Sequence, residues 1–132
     1  MSESNLDIVR RSVQAVIDKD WPQALEALDS GVHWDHRRPS GVYTGKSGVR
    51  KAVERWSEAW EDRSVEAEEF IDGGDQIVVV MRESVKSARA DMTLGRQVVE
   101  VWTLSDGLVV RIQGYRDRSE ALRAAGIEEP PE

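Results

Sequence analysis

Apolar residues recur at steps of three and four in the first half of the chain and at steps of two in the second. Leu6, Val9, Val13, Val16 and Ile17 make one such helical stripe, predicting an amphipathic helix over 4–19 with Ser4 or Asn5 as its cap. Asp20-Trp21-Pro22 marks a break and a restart, because proline suits a first helical turn and not a helix interior. Ala24, Leu25 and Leu28 give a short second helix that ends near Asp29-Ser30-Gly31. Val32 to His36 reads as a strand, followed by a loop rich in turn formers. Val49, Ala52, Val53, Trp56 and Trp60 stripe a third helix over 46–61. The period then shortens to that of strands over 64–72, 76–86, 92–105 and 108–116, with turns at Gly73-Gly74 and Asp106-Gly107. Arg118 to Ala125 forms a last short helix stopped by Gly126, and 127–132 is a frayed acidic tail. No repeat and no linker interrupts 1–126, so the expectation is one α+β domain in which three helices cover a strongly bent antiparallel sheet.

The Asp106-Gly107 turn carries the most specific expectation, because a two-residue turn of this type sets the register of the hairpin it closes. Ser105 then pairs with Leu108, Thr103 with Val110, Trp102 with Arg111, Glu100 with Gln113 and Val98 with Tyr115. Paired residues share a face. One face becomes apolar: Val99, Val101, Val110 and Ile112, with Thr103 and Leu108. The other mixes Glu100, Trp102, Arg111, Gln113 and Tyr115, as expected of a lined pocket.

Composition narrows the function classes. At 132 residues the chain builds a modest core, and a net charge of −7 argues against nucleic acid or an anionic membrane as partner. Arg37-Arg38 is too small a basic cluster to reverse this. Without cysteine there is no disulfide framework, thiolate nucleophile or zinc–thiolate site. No apolar run approaches the length of a membrane helix and the N-terminus has no signal-peptide core, so a cytoplasmic protein is expected. The glycines at 41, 45 and 48 are spaced as turns and not as a phosphate loop, and no nucleophile elbow occurs.

Several local motifs, in order, resemble the nuclear transport factor 2-like superfamily, in particular its SnoaL-like branch. They are Lys19-Asp20-Trp21, Leu28-Asp29 leading to Val32-His33-Trp34-Asp35, Tyr43-Thr44-Gly45-Lys46-Ser47-Gly48-Val49, Val101 to Gly107, Tyr115-Arg116-Asp117-Arg118, and Glu120-Ala121-Leu122. The resemblance covers nearly the whole chain. It implies a curved sheet forming a cone, with three N-terminal helices closing a cavity. It also implies a homodimer through the outer sheet face, here Val99, Val101, Val110 and Ile112. The superfamily hosts cyclases, isomerases, epoxide hydrolases and members that only bind, so the fold does not give the function. Compared with the ketosteroid isomerases, Asp35 occupies the place of the general base and Glu100 that of a carboxyl hydrogen-bond donor, with Trp102 as its aromatic neighbour. The expected tyrosine on the first helix is Ser12, a far weaker acid.

A carboxyl in an apolar pocket has its charged form disfavoured, so one ionised and one protonated carboxyl would supply a base and an acid at neutral pH. Arg111 could instead hold Glu100 as an ion pair, and the sequence leaves both readings open. Strand alternation puts His33 on the face of Asp35 and His36 on the other, so His33 is the candidate to assist catalysis and no metal site is expected. Trp34, Trp56, Trp60 and Trp102 are candidate walls for a flat or hydrophobic ligand, with Arg111, Gln113 and Tyr115 adding polar contacts. No cofactor is expected. Two functions remain: a cone that binds a hydrophobic small molecule with acid/base activity of the isomerase, cyclase or hydrolase kind, and a non-catalytic binding or dimerising domain.

Overall fold

The computed structural model describes residues 4–35, 42–58, 63–86 and 93–127. Helix α1 runs Asn5–Ile17, capped by Ser4 Oγ accepting from Asp7 N. A left-handed Lys19 (φ 60°) turns the chain into α2, Trp21–Glu26, where Asp20 caps and Pro22 fills the first turn. Strand β1 starts earlier than its pattern suggests, at Leu28, and ends at Asp35. Leu28 therefore belongs to the sheet and not to the second helix. Val42–Thr44, expected as loop, is a short strand β2 that pairs antiparallel with the end of β1. Helix α3 follows over Gly45–Glu58. Strands β3 (Arg63–Asp72), β4 (Gln76–Lys86), β5 (Thr93–Ser105) and β6 (Leu108–Tyr115) then form a meander, and α4 is Arg118–Ala124.

The six strands make one curved sheet in the order β2-β1-β6-β5-β4-β3. It is mixed and not wholly antiparallel, because β1 joins β6 in parallel. Almost the whole chain separates these two strands, so no tight turn constrains their direction. The concave face carries the main core: Ile8, Val9 and Val13 of α1 and Val49, Ala52 and Val53 of α3 pack on Val32, Trp34, Ile77, Val79, Met81, Trp102 and Ile112. On the convex face, Ala121 and Leu122 of α4 cover Val78, Val80, Val99 and Val101. Arg118 anchors this helix by donating to both carboxylate oxygens of Glu69, at 2.8 and 3.2 Å. Ile127, placed in the tail by the sequence, packs on the same cluster. Arg37, Arg38 and residues 128–132 lie outside the described residues.

The hairpin register corrects the sequence. Asp106-Gly107 forms its turn, with φ of 52° and 77°, and Ser105 pairs with Leu108 and Leu104 with Val109 as the turn dictates. Beyond that point Thr103 pairs with Arg111, Trp102 with Ile112, Val101 with Gln113 and Val99 with Tyr115. Val110 is the extra residue of a β-bulge, which adds bend and twist to the sheet and moves every later β6 side chain to the other face. Ile112 consequently points into the core, while Arg111, Gln113 and Tyr115 lie on the convex side. The apolar quartet proposed as a dimer surface is dispersed: Val99 and Val101 are covered by α4, Ile112 is interior, and only Val110 remains half-buried on the outside.

Candidate functional site

Between the concave face and α1, α2 and α3 lies a cavity of about 40 Å³, walled by Val13, Val16 and Ile17, Ala24 and Leu25, Val49 and Val53, and the sheet residues Trp34, Val65, Met81, Trp102 and Ile112. Its polar groups are few. Ser12 is one, but its hydroxyl donates to the Ala24 carbonyl at 2.8 Å and so ties α1 to α2. The other is Glu100, only 5% exposed.

Three strands build the surroundings of Glu100. Alternation along β5 puts Glu100 and Trp102 on the concave face, and the row Trp34–Ile112–Trp102 brings the β1 indole alongside. Opposite Glu100 on β6 stands Gly114, which places no side chain beside the carboxyl. Trp34 Nε1 donates to Oε2 at 3.0 Å and Trp102 Nε1 donates to Oε1 at 3.2 Å. Burial raises the pKa of Glu100 above its usual 4.5, opposed by the two indole hydrogen bonds, which favour the charged form. Desolvation wins because no cation pairs with this carboxyl among the described residues. Arg111 does not reach it; its Nη2 donates to Gln113 Oε1 at 2.8 Å on the convex face. The ion-pair reading of Glu100 with Arg111 is therefore replaced by a carboxyl held between two indoles.

The candidate site thus divides in two. Glu100, Trp34 and Trp102 come together at the cavity. Asp35, the candidate base, and His33 alternate away from Trp34 and line a groove on the convex face with Val110, Arg111 and Gln113. The sheet lies between Asp35 and Glu100, so they do not act on one reacting atom. Tyr115 packs beside the α4 cluster and not in the cavity. Trp56 belongs to α3, but its side chain, like His36 and Trp60, lies outside the described residues. The sequence reading overlooked Glu83, a second buried carboxylate on the concave face, which pairs with Arg96 at 3.1 Å. Alternation from Ile77 through Val79 and Met81 was the signal that could have found it. Among the described residues, no three His, Asp or Glu side chains gather where they could hold a metal, and no helix is long and apolar enough to cross a membrane.

Comparison with known proteins agrees with this architecture. No curated protein matches the chain. A protein of unknown function from Burkholderia pseudomallei, described as nuclear transport factor 2-like, is 25% identical, with a TM-score of 0.71 over 92% of this chain and 97% of its own. TerC, crystallised with polyporic acid, is 23% identical, with a TM-score of 0.70 over 92% and 96%. A protein from Sinorhizobium meliloti assigned as a polyketide cyclase is 16% identical, with a TM-score of 0.67 over 83% and 94%. The SnoaL-like domain profile matches residues 9–112, most of the chain. A chain matched over that span, folded as a helix-capped cone, belongs to the SnoaL-like branch of the nuclear transport factor 2-like superfamily.

Proposed function

We propose that the cone binds a small, mostly apolar molecule bearing a carbonyl or hydroxyl oxygen, and that protonated Glu100 is its polar anchor. The observation that carries this reading is a carboxyl buried at the wall of an apolar cavity with each oxygen already accepting an indole N–H. When neutral, the carboxyl has one O–H to donate, and a guest oxygen in the cavity can accept it. Such a donor polarises a carbonyl. No second carboxyl or imidazole lines the cavity among the described residues, so the reading stops at binding and polarisation. The TerC structure with polyporic acid and the cyclase assignment of the Sinorhizobium neighbour support a guest of this oxygenated kind.

Size limits the guest. A cavity of about 40 Å³ admits roughly three waters at 10–15 Å³ each, against several hundred Å³ for a drug-sized ligand. A larger guest enters by separating the helices where Val16, Ile17 and Leu25, all half-buried, bring the cavity closest to solvent. The test is to follow the indole Nε1–H resonances of Trp34 and Trp102 by NMR while titrating small ketones from acetone to acetophenone. Both signals should shift saturably, with affinity falling as pH rises through the raised pKa of Glu100. The Glu100→Gln variant, which cannot ionise, should show no such fall. Indole signals that ignore every ketone would refute the reading.

A further inference from the structure

The part of the convex face formed by β1 and β6 carries chemistry that the cone does not use. Parallel pairing sets His33 beside Arg111 and Asp35 beside Gln113. Together with Val110 they line a groove of about 510 Å³, within the range of roughly 300–1,000 Å³ usual for small-molecule sites. Helix α4 covers the β4–β5 part of this face, while Arg111 and His33 stay exposed.

The construction under Arg111 is specific. Gln113 is 9% exposed, and its Oε1 accepts from Arg111 Nη2 at 2.8 Å. A nearly buried amide spent on a guanidinium fixes the plane of that guanidinium, which leaves its other N–H donors as a preset fork toward the groove. Neither Arg111 nor His33 forms an ion pair with a carboxylate among the described residues. In a chain of net charge −7, an oriented cation beside an imidazole stands out as a site for an anion. Asp35, half-buried in the same groove, adds one negative charge that disfavours a multiply charged anion such as phosphate. We infer that this groove is a second binding site, distinct from the cone, for a small monocarboxylate: two oxygens on the Arg111 fork, a further donor from His33, and the apolar part of the ligand against Val110.

Benzoate is the probe, with benzamide as its neutral counterpart and inorganic phosphate as the competing anion. In the ¹⁵N-labelled protein, benzoate should shift the backbone amides of His33 and Arg111 saturably, and benzamide should not. Arg111→Met should weaken binding by about tenfold or more, and Arg111→Lys, which keeps the charge without the fork, should fall between. Because Arg111 is exposed, both variants should keep the wild-type circular dichroism. An equal response to benzamide, a preference for phosphate, or shifts confined to the Trp34 and Trp102 indoles would each overturn the assignment. So would indifference to benzoate combined with an Arg111→Met mass change in light scattering, since that would show a second copy covering the groove.

Discussion

Glu100 owes its behaviour to competition between burial and two indole donors, and its titration makes that competition measurable. The unfolded chain titrates this group near 4.5, and the folded chain holds the proton more tightly because burial penalises the carboxylate. Below the unfolded value both states are protonated and the contribution to stability is whole. It is lost as pH rises through the raised folded value, and each tenfold difference in proton affinity is worth about 1.4 kcal/mol. Over the pH range above 4.5, Glu100→Gln should therefore gain on the wild type in urea unfolding. A stability gap that stays flat over that range would rule out the raised pKa. Lys19 offers a second residue-scale test. It holds φ at 60°, where a side chain is strained, and Lys19→Gly should stabilise by about 1 kcal/mol in the same assay. The sequence made Glu100 and Trp102 legible through strand alternation. The same rule separates Trp34 from Asp35, because neighbours on a strand cannot both face one cavity. Reading those two as members of one site was the error.

The elements themselves were largely legible, since three helical stripes, four alternating runs and a capped last helix are strong local signals. Strand β2 was hidden because three residues in a turn-rich segment carry too little pattern, and only pairing with Trp34 and its neighbours defines it. The bulge was hidden because Asp106-Gly107 governs only the pairs next to it. One trace was visible: Val109 and Ile112 are the inward apolar residues, and their spacing of three does not fit a regular strand. Deleting Val110 should leave Arg111 opposite Thr103 and Ile112 opposite Trp102 in a regular hairpin, so every face is kept and only the bend of the bulge is lost. The expected outcome is unfolding that stays cooperative by circular dichroism, whereas a variant that no longer unfolds cooperatively would refute Val110 as the extra residue. Covering of the convex face by α4 changes another expectation. Val101→Asp buries an unpaired charge against Leu122 and should cost several kcal/mol in chemical denaturation, so it tests the fold and not a dimer.

At the scale of the molecule, the cone was legible from the order of its elements, whereas the volume inside it was not, because volume depends on how rotamers meet across helices and sheet. The cavity is small chiefly because Val49, Val53, Leu25 and the two indoles converge on it. Val53→Ala should therefore cost about 1–3 kcal/mol of stability and yet tighten ketone binding in the indole titration. Unchanged affinity would show that space does not limit the guest. Val110 acts on the whole assembly as one inserted nucleotide acts on a reading frame. Every β6 side chain before it keeps its meaning, and every one after it is read on the opposite surface. Inside and outside chemistry are thereby sorted by pairing alone, so drawing Val110 into the ladder would exchange cavity wall and groove ligands without altering any side chain.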